Sequence, residues 1–114
     1  MSNDDKRMEL TSLLKLDQQQ AVVEMLEGMA VQDIAGVMAD LEADRRARLF
    51  ALLPEERQTD TFSYLPRGLQ FDFLDRLSTP TARRILGQML PDDRTSLLES
   101  APPEKLEEML GLLQ

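Results

Sequence analysis

The sequence predicts an all-α fold: a right-handed superhelical stack of about eight to ten short antiparallel helices. Three observations carry this reading. Apolar residues recur every twelve positions without insertion or deletion. Prolines and acidic residues recur just after the same point of the repeat. Strand signals are missing, with no Asn-Gly or Asp-Gly turn and no sustained Val-Ile-Thr alternation.

The repeat is read from its landmarks. Counting by twelve from Met29 reaches Leu41, Leu53, Leu65, Leu77, Met89, Ala101 and Leu113. Eight places after each landmark stand Val37, Leu49, Thr61, Phe73, Ile85, Leu97 and Met109, of which only Thr61 is polar. Nine places after stand Met38, Phe50, Phe62, Leu74, Leu86, Leu98 and Leu110, all apolar. Positions eight, nine and twelve have the i, i+1, i+4 spacing of one side of a helix, so each unit encodes one short helix.

Taken in order, residues 1–7 are polar and are expected to form a flexible tail, with a single helical-repeat domain over 8–114. Met8, Leu10, Leu13, Leu14 and Leu16 mark a leading helix, and a unit opening at Asp17 places Met25 and Leu26 in the apolar slots. From Met29 onward each unit carries its own punctuation. Pro54, Pro66 and Pro102 directly follow landmarks, Pro91 and Pro103 come two places later, and Pro80 three. Proline at a helix start gives up no needed donor and arrives with its φ already set. Glu55-Glu56, Asp92-Asp93 and Glu104 follow, where they oppose the positive end of the helix dipole. Ser78 and Thr79 give an N-cap signal before Pro80. Helices of eight to ten residues are marginal alone in water, so neighbours must hold them.

Composition narrows the function. The 114 residues hold 21 acidic and 13 basic side chains, a net charge of −8. That sign disfavours nucleic acid and favours a cation or a basic partner. The basic pairs Arg45-Arg46 and Arg83-Arg84 are expected on solvated faces or in intrahelical ion pairs. Neither His nor Cys is present, which removes zinc-thiolate sites and the common triads, and no carboxylate spacing favours an enzyme. The longest apolar run, Leu49 to Leu53, is far short of the roughly 20 residues that span a bilayer, so the segment is expected to be cytoplasmic. The isolated domain is expected to be monomeric. Phe50, Phe62 and Phe73 fall in buried slots, whereas Phe71 breaks the frame and either seals a groove or marks a partner contact. Asp72 and Asp75 read as ordinary exposed positions.

Three segments carry a family likeness. Leu53-Pro54-Glu55-Glu56-Arg57 opens one unit, Leu26 to Ala35 reads Leu-Glu-Gly-Met-Ala-Val-Gln-Asp-Ile-Ala, and Pro91 to Leu98 reads Pro-Asp-Asp-Arg-Thr-Ser-Leu-Leu. In these segments and in its register the sequence resembles the cytosolic N-terminal domain of the MgtE family of bacterial magnesium channels and transporters, over nearly all of residues 8–113. The resemblance implies a magnesium-sensing regulatory domain. In that family, Mg²⁺ bridges this domain to paired CBS domains and favours the closed pore. Oxygen ligands and retained waters suit Mg²⁺ to such a bridge. By position, the resemblance places Asp60 and Asp92 among the ligands, with Asp93 as a further carboxylate and a partner domain completing the site. Ser96 stands where the family's motif has its last Asp. The same acids also fit plainer roles: Asp92 and Asp93 as helix N-terminal charge, and Asp60 on a solvated face. The alternative is a stand-alone or scaffold role without ion sensing, such as the related helical repeats of the flagellar switch protein FliG.

Overall fold

A computed structural model describes residues 3–114, with side chains from Asp5 onward. The described residues form nine α-helices and no strand, in agreement with the all-α reading. They are α1 (Asn3–Lys15), α2 (Gln19–Glu27), α3 (Val31–Asp40), α4 (Ala43–Ala51), α5 (Glu55–Ser63), α6 (Arg67–Arg76), α7 (Thr79–Gln88), α8 (Pro91–Ser100) and α9 (Pro103–Leu112). Helix α1 begins at Asn3, so residues 3–7 of the expected tail are helical, while Met1 and Ser2 lie outside the described residues. The register predicts one continuous domain, yet the chain divides into two compact units, the first ending at Tyr64 and the second spanning Leu65–Gln114. In the first, α1 packs on α2 and α3 packs on α4 and α5; in the second, α7 packs on α9.

Proline sets most of the helix starts. Pro54, Pro66 and Pro102 are the residues just outside α5, α6 and α9, with φ of −59°, −55° and −60°, close to the value their rings impose. Pro91 and Pro103 are the first residues of α8 and α9. Among the described helix starts only Ser78 caps through its side chain, its Oγ accepting from the Thr81 N–H at 3.4 Å, while α2 to α6, α8 and α9 have no side-chain cap. Helix α1 closes differently. The Gln18 N–H donates to the Leu13 carbonyl at 3.0 Å and the Asp17 N–H to the Leu14 carbonyl at 3.3 Å, with Asp17 left-handed at φ 58°. Asp is one of the few residues that tolerate that conformation.

The core follows the repeat. From the unit of Met29 onward every residue at position eight is buried, including Thr61, which is wholly enclosed. Position five is also buried in the inner units, and this was not evident from the sequence. It is filled by Ile34, Arg46, Gln58, Gln70 and Ala82, then by half-buried Arg94 and Leu106. Position five lies one turn from positions eight and nine, so it shares their stripe.

The polar members of that stripe reach backwards. Arg46 Nε donates to the Met38 carbonyl at 2.9 Å and its Nη2 to the Leu41 carbonyl at 2.8 Å. Gln58 Nε2 donates to the Phe50 carbonyl at 3.0 Å, and Arg94 Nη1 to the Leu86 carbonyl at 3.2 Å. Met38, Phe50 and Leu86 each occupy position nine of the preceding unit, in the last turn of its helix. The last four carbonyls of a helix have no intrahelical donor, and burying them unpaired is costly. Arg46, Gln58 and Arg94 therefore add a donor to the helix before their own, beside the Leu41 and Leu53 N–H groups that also reach the Met38 and Phe50 carbonyls. Arg57 adds a longer reach from α5 to the end of α2, donating to the Leu26 carbonyl at 2.8 Å and to that of Met29. In the second unit Arg83 Nε reaches the Leu112 carbonyl at 3.1 Å. The expectation of a solvated face is thus corrected for Arg46, while Arg83 is exposed. Arg46 is 9% exposed and serves backbone carbonyls of the helix before it, and Arg83 also binds backbone.

Two stability outcomes follow. Arg46→Met strands the Leu41 carbonyl and weakens that of Met38, and should lower unfolding free energy in urea by about 2 kcal/mol. Thr61→Val should raise it by about 1 kcal/mol, because the Thr61 hydroxyl is buried without a hydrogen-bond partner. A neutral Arg46→Met, or a destabilising Thr61→Val, contradicts the packing described.

Candidate functional site

The three acids that the sequence singles out do not converge within either unit. Asp60 lies in α5 between buried Thr59 and Thr61 and is itself exposed. Asp92 and Asp93 are exposed in the first turn of α8, directly after Pro91. Asp60 therefore belongs to the first compact unit and the pair to the second. Among the described residues no group of three or more His, Cys, Asp or Glu side chains is placed to hold a metal ion.

Charge around α8 is unfavourable to a cation. The helix N-terminus already stabilises the Asp92 and Asp93 carboxylates, and the same positive pole repels a positive ion. Ser96 lies one turn beyond Asp92 on the same face. Its Oγ accepts from Arg67 Nη2 at 3.0 Å. A guanidinium thus stands beside Ser96, one turn from Asp92. Mg²⁺ needs oxygen donors and often takes only one or two carboxylates with several waters. Asp92 and Asp93 can supply that much, but the chain does not complete a site around them.

Other acids are paired. Asp72 accepts from Arg76 Nε at 3.2 Å, one turn along α6. Asp75 on α6 pairs with Lys105 on α9. That hydrogen bond holds the Lys105 ammonium above its ordinary pKa; partial desolvation opposes the shift, and the charges of Asp75, Glu108 and Glu104 add to it. Phe71 lines the cleft beside this pair, about 60 Å³ between α6 and α9, together with Leu74, Met109 and Leu112. Phe71 therefore lines a groove within its own unit. In the first unit, one cleft of about 140 Å³ is lined by Leu13, Val22 and Leu52, with the Asp17–Arg48 ion pair beside it. A second, of about 170 Å³, lies beside Met29, Gly36 and Arg7, the last paired with Asp40. Neither cleft sets a nucleophile beside a base. Among the described residues no helix is long and apolar enough to cross a membrane.

Comparison with known families assigns this architecture. The model of the MgtE intracellular N domain matches residues 29–114. The chain belongs to the MgtE intracellular N domain family. A crystal structure described as the soluble part of a magnesium transporter superposes with a TM-score of 0.83 at 19% identity, covering 99% of this chain and 45% of that one. This likeness shows the fold, and the present chain spans less than half of that solved chain. No curated protein matches. The family match begins at Met29, the first landmark of the twelve-residue register, so α1 and α2 precede it.

The incomplete acid set has a measurable consequence for this MgtE N domain. Alone, it should bind Mg²⁺ at about 1 mM or weaker in a titration followed by amide chemical shifts. Arg67→Ala should strengthen that binding several-fold by removing the adjacent charge. Saturation at micromolar Mg²⁺ would show that the chain completes a site by itself.

Proposed function

We propose that this domain is the intracellular regulatory module of an MgtE-type magnesium transporter, docking on CBS domains through Mg²⁺ bridges that favour the closed pore. The family match over residues 29–114 is the observation that carries this reading. The exposure of Asp60, Asp92 and Asp93, and a net charge of −8, support it. Two acidic surfaces repel until a divalent ion bridges them with carboxylates from both sides. An ion with one foot on each domain is bound weakly by either alone. It shifts the docked population only as far as its affinity differs between the docked and separated states.

A second reading is a helical scaffold that docks without an ion. The pairing of Arg67 with Ser96 favours it, since that guanidinium supplies positive charge where the bridging reading needs a carboxylate.

Docking to the CBS domains at increasing Mg²⁺ separates the two. The bridging reading predicts association that rises through the millimolar range and is lost in EDTA. It also predicts that Asp60→Ala and the double variant Asp92→Ala, Asp93→Ala each weaken it several-fold. Association that is indifferent to Mg²⁺ and to these substitutions favours the scaffold reading and removes Asp60, Asp92 and Asp93 from the site.

A further inference from the structure

The turn that closes α1 carries an aspartate where glycine is the residue of least strain. Asp17 is left-handed at φ 58°, and among the described residues no other non-glycine has a positive φ. Glycine adopts that conformation at no steric cost, and aspartate only tolerates it. What aspartate adds is a carboxylate, and that carboxylate meets Arg48 of α4. The pair does little for stability. Asp17 and Arg48 side chains are 76% and 43% exposed, and ion pairs so open to water contribute little.

The two charges instead serve a cleft. Asp17 and Arg48 line the space of about 140 Å³ between the α1–α2 turn and the end of α4, where buried Leu14 and Val22 and half-buried Leu13 and Leu52 form an apolar wall. A cavity of about 150 Å³ accommodates benzene, so this one holds a single aliphatic side chain. It is far smaller than the roughly 300 to 1,000 Å³ of sites for larger molecules, which excludes nucleotides. The Gln18 and Gln19 amides add neutral donors and acceptors at the rim.

Charge selects the other end of the ligand. A cation alone at Asp17 meets the Arg48 guanidinium, and an anion alone at Arg48 meets the Asp17 carboxylate. A zwitterion meets neither difficulty. Its ammonium donates to Asp17 while its carboxylate accepts from Arg48, so one exposed ion pair gives way to two. Asp17 and Arg48 are in hydrogen-bond contact, which suits two poles carried on a single carbon.

We infer that this cleft is a binding site for a free α-amino acid with a branched aliphatic side chain. The side chain lies against Val22 and Leu52, the ammonium on Asp17 and the carboxylate on Arg48. The apolar wall and both poles come from α1, α2, the turn between them and the end of α4, so the site is complete within the first unit. It uses none of Asp60, Asp92 and Asp93 and stands apart from the proposed Mg²⁺ bridge.

Titrating the isotope-labelled chain with L-leucine tests this. Saturable amide shifts confined to residues 13–22 and 48–52 are expected, with a dissociation constant on the order of 1 mM. N-acetyl-L-leucine, which has no ammonium, and L-leucinamide, which has no carboxylate, should each bind at least about tenfold more weakly. Those two arms also separate a free amino acid from the end of a peptide chain, which offers one pole only. Asp17→Gly is the decisive variant, because it eases the turn while removing the carboxylate. It should keep the helical circular-dichroism spectrum and weaken leucine binding at least about tenfold. No saturable shift with leucine, shifts mapping elsewhere, equal binding of either one-pole analogue, or full binding by Asp17→Gly would each overturn the inference.

Discussion

A helix of nine or ten residues leaves four of its carbonyls without an intrahelical donor, close to half of its backbone acceptors. In a long helix that deficit is a detail at one end. Here it recurs with every unit, and the ends lie against neighbouring helices where water is scarce. A fold made of such pieces needs a donor for each buried end. Backbone N–H groups supply part of this, from Leu41 to the Met38 carbonyl and from Leu53 to that of Phe50. Arg46, Gln58 and Arg94 add a side-chain donor from one slot of the repeat, each reaching the position-nine carbonyl of the helix before it. The interaction is local in sequence, eight residues back, and the regular register reproduces it. Consecutive helices are thereby joined by polar bonds as well as by the apolar contacts at positions eight and nine.

The opposite ends obey a different economy. Among the described starts Ser78 is the sole side-chain cap, and α5 to α9 begin at prolines whose φ is set in advance, with acids in the first turn of α5, α8 and α9. Neither device ties one helix to another. The cohesion of the array therefore lies mainly at the C-terminal ends and in the shared stripe, where loss of a single side chain affects two helices.

The apolar part of this plan was legible in the sequence because it is periodic and chemically uniform. Position five escaped notice because its occupants are chemically mixed. Arg46 and Gln58 are buried in the same stripe as Ile34 and Ala82, but hydropathy assigns them to solvent. A buried Arg or Gln standing eight residues after an apolar slot is a signal that can be sought in other short-helix repeats. Thr61, the one polar residue at position eight, is buried all the same, so the register outweighed side-chain type there. The exposed acids were legible as acids, and Asp60, Asp92 and Asp93 do face solvent. The contact of Arg67 with Ser96 was not legible, since it joins residues 29 apart and depends on how α6 meets α8. The division after Tyr64 was also hidden, because the twelve-residue count runs through it unbroken.

The central claim is that the polar side chains at position five, Arg46, Gln58 and Arg94, couple α4, α5 and α8 to the helix before each. Native-state amide hydrogen exchange on Gln58→Leu tests it most directly, because leucine keeps the bulk of the side chain and removes the amide that donates to the Phe50 carbonyl, leaving that carbonyl its donor from the Leu53 N–H at 3.1 Å. The account predicts that amides in the last turn of α4 and throughout α5 lose protection together. Loss confined to α5, with α4 protected as before, would contradict it.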